Sequence, residues 1–225
     1  MGGPRITSGD DSQQDQATPS DFMAAVERRF GPISFDLAAH SGNKKHARYF
    51  APTEFVTRFE SPTQIPAELV PPGVSLLKKT KKGVYVYEKR TKNEDPDCYA
   101  MDAFAHDWSA LSRKFGAEHW SGSALLWLNC EFSDIDPWAS RCLSEMQRGA
   151  SGLLLTPLNT ANWYRDNIAG KMDVYELGGR LCFDGKNVYP KDCMLSHFHP
   201  GTKGRRFFWE WRKDVIHAAW NLREI

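Results

Sequence analysis

Asn129-Cys130-Glu131-Phe132 places an amide, a thiol, a carboxylate and an aromatic ring at four consecutive positions. The amide oxygen and the next backbone carbonyl can accept both hydrogens of an exocyclic amine while the ring stacks on the base that carries it. A thiol beside an acid can instead attack a pyrimidine at C6, with Glu131 protonating the ring, although Cys130 also reads as an inert small residue. The four residues follow Leu125-Leu126-Trp127-Leu128, an apolar run with the length of a buried strand. Asp136-Pro137-Trp138 then opens a helical pattern, with Asp136 suited to the N-cap and Pro137 to the first helical position. Strand, polar turn and helix in that order set Asn129 to Phe132 at the carboxyl end of a strand, where open α/β sheets bind ligands.

Other segments must build the walls around that turn. Residues 1–17, rich in Gly, Ser, Asp and Gln, read as a flexible leader to a single domain over 18–225. Thr18-Pro19 starts a helix with Thr18 as N-cap, and Phe22, Met23, Val26 and Phe30 recur at helical spacing up to Gly31-Pro32. Ile33 to Ala39 is a short strand ending in Asp36 and small residues. Such an end suits a nucleoside, because a carboxylate can accept from ribose hydroxyls; it also reads as a plain strand-to-turn junction. Asp107-Trp108 either holds a purine or caps a helix running to Phe115.

Residues 53–97 differ in character, with five prolines and the basic run Lys78-Lys79-Thr80-Lys81-Lys82. The alternating Val84-Tyr85-Val86-Tyr87 and the turn signal at Lys82-Gly83 predict an inserted β-hairpin. Lys78, Lys79, Lys81, Lys82 and Arg90, interleaved with tyrosines, can contact phosphates and stack on bases, or form a solvated face. Toward the C-terminus, Gly152 to Pro157, Val174 to Leu177, Arg180 to Phe183 and Met194 to Phe198 are strand candidates, and Ala161 to Ile168 reads as a short helix. The tail from Gly204 is basic, then aromatic; Val215, Ile216, Ala219 and Leu222 suggest a closing amphipathic helix. Strands alternating with helices predict an α/β sheet, with antiparallel strands near its C-terminal end.

The totals exclude little. The net charge of +1 neither demands nor forbids nucleic acid. No apolar run approaches the roughly 18 residues of a membrane span, and the polar N-terminus does not read as a secretory signal. Five cysteines without a CxxC pair read as reduced cytoplasmic thiols. His197 and His199 alternate with no third ligand in view, so no metal site is expected.

Several pieces, in order, resemble the phage-type DNA N6-adenine methyltransferase (phage Dam) family. They are Thr18-Pro19, Arg29-Phe30-Gly31-Pro32 running into Phe35-Asp36-Leu37-Ala38-Ala39, Asn43, Tyr49-Phe50 and Asp107-Trp108. They continue with Leu128-Asn129-x-x-Phe132, Pro137-Trp138, Leu155-Thr156-Pro157, Asn162-Trp163 and Gly178-Gly179-Arg180-Leu181-x-Phe183. The match leaves out 53–97, lacks a glycine-rich loop, and has Cys130-Glu131 where the family carries two prolines. The resemblance implies a Rossmann-like sheet binding S-adenosylmethionine and transferring methyl to adenine N6 of DNA, in the cytoplasm of a host cell if phage-encoded. It implies that Thr18, Pro19, Asp36, Ala38 and Asp107 border the cofactor, and that Asn129 and Phe132 hold the target base. The replaced prolines leave room for a degenerate member that binds DNA or a partner without turnover.

Overall fold

The computed structural model describes residues 6–7, 17–116, 124–183 and 187–214. In chain order its elements are β1 (Ile6–Thr7), α1 (Ser20–Phe30), β2 (Ile33–Asp36), β3 (Phe50–Ala51), β4 (Glu54–Ser61), β5 (Val74–Lys79), β6 (Tyr85–Lys92) and β7 (Ala100–Met101). There follow α2 (Trp108–Gly116), β8 (Leu125–Leu128), α3 (Asp136–Gln147), β9 (Ser151–Pro157), α4 (Asn162–Asn167), β10 (Asp173–Leu177), β11 (Cys193–Phe198) and β12 (Arg206–Trp209). The anticipated closing helix, most of the leader and the link before β8 lie outside the described residues.

The central sheet has six strands in the order β12-β10-β11-β9-β8-β2. β2, β8 and β9 pair in parallel, β11 runs antiparallel to both β9 and β10, and β12 lies parallel to β10. This is a mixed, mostly parallel α/β sheet, compatible with a Rossmann-like fold, with its reversed strand near the C-terminal end. Both faces are covered, which is why β8 reads as a continuous apolar run with all four residues buried.

One face carries α1. Its Phe22, Met23, Ala25 and Val26 pack on Ile33, Leu125, Trp127, Leu153, Leu155 and Leu195. Asp21 in the first turn and Arg28 and Arg29 in the last suit the helix dipole. The opposite face carries α2, α3 and α4, where Leu111, Phe115, Ala139, Cys142 and Ile168 cover Leu126, Leu128, Leu154, Met194 and Phe198. Each of the larger of these side chains (Leu, Ile, Val, Met, Phe) taken from water contributes about 1.5–3 kcal/mol before the entropy of ordering is set against it. The six strands therefore form a rigid platform, and the loops at its carboxyl end are held from beneath.

Residues 54–92 form a separate sheet with β1, in the order β1-β4-β6-β5. β5 and β6 make a hairpin whose turn is closed by Gly83 N–H on the Thr80 carbonyl (2.9 Å) and Thr80 N–H on the Val84 carbonyl (2.7 Å). Gly83 has φ +85°, which favours glycine there. β3 and β7 flank this segment and pair with each other in parallel. Asn93 is buried and joins the two ends: its N–H reaches the Thr53 carbonyl (3.0 Å) and its side-chain amide the Pro52 carbonyl (2.7 Å).

Three local expectations change. Thr18 does not cap α1; the N-cap is Pro19, with no side-chain cap bond, because the Thr18 hydroxyl is engaged elsewhere. Asp136 is the first residue of α3 and accepts from Asn167 Nδ2 of α4 (3.2 Å) instead of capping its own helix. Arg180 to Phe183 is not a strand. The Gly178 and Arg180 carbonyls accept from Arg212 (3.0 and 2.8 Å), and Gly179 turns at φ +81°, so those carbonyls are unavailable to a β ladder.

Candidate functional site

β2 and β8 lie side by side, and the Leu37 N–H donates to the Trp127 carbonyl (2.8 Å). Their carboxyl ends therefore bring Asp36-Leu37-Ala38 next to Asn129. On the far side of the Asn129 turn lie Thr18-Pro19, leading into α1, and the loop after β10. Asn129 Nδ2 donates to the Thr18 hydroxyl at 3.1 Å, and Thr18 is buried. With its nitrogen committed to Thr18, the Asn129 amide is oriented, and its Oδ1 is left as the acceptor of the pair.

Phe132 is half-buried and meets Phe183 (6.0 Å between ring centroids) and Tyr189 (5.6 Å), both at steep interplanar angles. Cys130 is buried in the core beneath the turn, and burial pushes its thiol up from the ordinary value. A nucleophilic cysteine needs the opposite environment. The Glu131 carboxylate accepts from Ser133 Oγ (2.6 Å), and its carbonyl from the Asp134 N–H (3.2 Å), so one side-chain and one backbone bond shape the turn.

Asp36 is buried at the end of β2. One carboxylate oxygen accepts from the Ala38 N–H (3.3 Å) and the other from the Lys45 N–H (2.9 Å), folding the loop back on the strand. Burial pushes its pKa up to about 6 against the lowering pull of those two amides. The folded state thus binds a proton more readily than the unfolded chain. Stability from this group is fully present below the ordinary value of 3.8 and is lost as pH rises through about 6. Denaturant unfolding at pH 4 and pH 7 should show wild type losing on the order of 2 kcal/mol relative to Asp36→Asn as the pH rises. Parallel pH curves for the two proteins would remove Asp36 from this role.

Asp107 lies elsewhere. Its carboxylate accepts from Ser109 Oγ (2.6 Å) and the Ala110 N–H (2.9 Å), the helix-start reading, and pairs with Arg148 (2.5 Å). Arg148 follows α3, whereas the Asn129 turn precedes it, and α3 is about 18 Å long at 1.5 Å per residue. Ser112 of α2 also bonds Ala124 and Ser151, at the amino ends of β8 and β9. Asp107 is therefore engaged as a helix start and ion pair, on the face of the sheet that carries α3.

Lys78, Lys79, Lys81 and Lys82 are exposed along the β5–β6 hairpin, with Lys79 Nζ 4.9 Å from the Tyr85 ring centre. Arg90 differs: Glu88 (2.8 Å) and Glu54 (3.3 Å) neutralise its guanidinium. Among the described residues no His, Cys, Asp and Glu cluster could hold a metal, and no helix is long and apolar enough to cross a membrane.

Sequence reasoning missed one feature. A cavity of about 400 Å³ is lined by Pro19, Ser20, Asp21, Cys182, Phe183, Trp211 and Arg212. It adjoins the Asn129 turn twice, through Pro19 beside Thr18 and through Phe183 against Phe132. Its signal was present only in part: the Gly178 to Phe183 junction stood out, but nothing tied Trp211 and Arg212 to it. No family model, curated protein or solved structure matches the chain.

Proposed function

We propose that this chain is an S-adenosylmethionine-dependent methyltransferase acting on the exocyclic amine of adenine in DNA. The observation that carries the reading is the 3.1 Å bond from Asn129 Nδ2 to Thr18, which fixes the amide at the carboxyl end of β8 and leaves its Oδ1 as an acceptor, three residues before Phe132. Adenine N6 is a weak nucleophile because its lone pair is delocalised into the ring. Asn129 Oδ1 and the Cys130 carbonyl accept its two hydrogens and draw the amine out of plane, and Phe132 stacks on the displaced base. The turn lacks the stiffness of two prolines; the Ser133–Glu131 and Asp134–Glu131 bonds supply part of it.

S-adenosylmethionine supplies an electrophilic methyl group when bound. The residues at the end of β2 fit such a ligand as walls: Ala38 is small and half-buried, and Asp36 holds the Ala38–Lys45 loop in place. Asp36 then supports the cofactor through that loop, Thr18 reaches it only through its bond to Asn129, and the Asp107 carboxylate is taken by its own helix start and Arg148. The buried Cys130 thiol weighs against a pyrimidine mechanism.

Calorimetry with S-adenosylmethionine and its demethylated product tests the reading. Binding is expected, weakened strongly by Asp36→Ala; no heat at millimolar ligand would end it. For the DNA partner, replacing Lys78, Lys79, Lys81 and Lys82 with Ser should weaken binding and flatten the log–log salt slope, by up to about 0.9 for each phosphate no longer neutralised. An unchanged slope would make the hairpin a solvated face.

A further inference from the structure

We infer that β5, the open edge of the 54–92 sheet, pairs antiparallel with β5 of a second copy of this chain, about a twofold axis between Leu76 and Leu77. The inference is independent of the methyl-transfer reading, whose site lies on the other sheet.

Order within the sheet argues first. In the order β1-β4-β6-β5, β1 covers the outer edge of β4, and no strand among the described residues covers β5. The Arg90 N–H on the Gly73 carbonyl (3.0 Å) and the Thr80 N–H on the Val84 carbonyl (2.7 Å) fix which residues of β5 face β6. Between them the register shifts, and Leu76 and Leu77 together stand opposite Tyr87. By the alternation of an antiparallel ladder, both leucines turn their N–H and C=O to the open side. Such an edge is a template for another strand. Leu69, Leu76 and Leu77 are also three of the eight large apolar side chains exposed among the described residues, so apolar surface concentrates on this one edge.

Symmetry and charge name the occupant. Two consecutive outward residues put the twofold axis between them, so Leu76 meets Leu77 of the second copy and Val74 meets its Lys79. The Val74 N–H is held by the Pro71 carbonyl (3.1 Å), which leaves the Val74 carbonyl to accept from the second copy's Lys79 N–H. Lys78 then stands opposite Ser75, and Lys81 and Lys82 run beside Pro72 and Pro71, with Glu68 just beyond. Sliding the strands toward Thr80 sets lysine against lysine, so charge selects a single register. The pairing uses the open edge of both copies and so closes the assembly at two, with the two four-stranded sheets joined as one.

Sedimentation velocity of the full chain over a wide concentration range, with no DNA present, provides the test. The expected result is a monomer that passes to a dimer as concentration rises. Leu76→Glu combined with Leu77→Glu sets four carboxylates across the axis and should stay monomeric throughout. Should that variant not fold, Ser75→Cys combined with Lys78→Cys reads the same contact. Those positions face each other between copies at about 4.5 Å between Cα atoms, so oxidation should join two chains, and neither single variant should do so. A chain that is monomeric at every concentration overturns the inference. So does a dimer that survives the two glutamates, or one that forms no such disulfide, since its interface lies elsewhere. A dimer seen only when duplex DNA is added assigns the leucines to nucleic acid and also overturns it. Absence of S-adenosylmethionine binding is a separate failure, of the methyl-transfer reading alone.

Discussion

Asn129→Ala should lower methyl transfer to DNA by on the order of 100- to 1,000-fold, the usual effect of removing one fixed hydrogen-bonding group aimed at a reacting centre. Cys130→Ser should leave most of the activity, because Cys130 contributes a backbone carbonyl and its thiol is buried in the core. The assay is transfer of labelled methyl to DNA followed by base analysis, with S-adenosylmethionine binding measured on each variant to confirm that the fold survives. Label in N6-methyladenine that persists in Cys130→Ser and vanishes in Asn129→Ala is the expected pattern. Label at pyrimidine C5 that vanishes with Cys130→Ser would replace it with thiol chemistry. Cys130→Pro combined with Glu131→Pro should raise the rate if the turn is too soft. Label from no variant, that one included, would make the chain a binding module.

The largest effect on stability is expected at Gly152. It sits on β9 in register with Leu126 of β8 and Phe198 of β11, so three strands meet at a residue without a side chain. A Cβ there would lie 2.4 Å from Phe198 Cζ and 2.6 Å from the Leu126 carbonyl oxygen. The ring can move a little; the backbone carbonyl, locked in the ladder, cannot. Gly152→Ala should cost about 3 kcal/mol or more, at the upper end of overpacking changes. Adding Phe198→Leu should recover only part of that, since the clash with the Leu126 carbonyl remains. Denaturant unfolding measures both, and a loss under about 1 kcal/mol in the single variant would show that the sheet yields at this point.

The parts of the site legible in the sequence were those encoded within a few residues of one another. β8 announced itself as four apolar residues running into a polar turn, and Pro137 marked the start of α3. α1 was legible from its spacing and its Gly31-Pro32 stop. Thr18 shows the limit: its type suits a helix cap, and only the folded chain brings Asn129 close enough to claim its hydroxyl instead. Asp107 had two readings of equal local merit, and its bonds to Ser109, Ala110 and the distant Arg148 show the helix-start one. Arg180 to Phe183 has strand composition, yet Arg212, remote in sequence, takes the carbonyls a strand would need. The basic, aromatic run near the C-terminus concealed β12, an edge strand whose Arg206 and Phe208 stay exposed while Trp209 is buried. Trp211 belongs to the site only because β12 joins the sheet beside β10.

The clasp at Asn93 has a consequence for how this chain can be rebuilt. Because Asn93 binds the Pro52 and Thr53 carbonyls, the segment 54–92 leaves and rejoins the main body at nearly one point. Segments whose ends meet can be lengthened, exchanged or cut out at little entropic cost to the host, since loop closure depends only weakly on length. The β4–β6 ribbon is therefore a cassette. A hairpin from another protein, or a short turn, could be grafted between Thr53 and Asn93 while Ile33 keeps its register with Leu125, so what the chain touches can change without redrawing the sheet that supports Asn129.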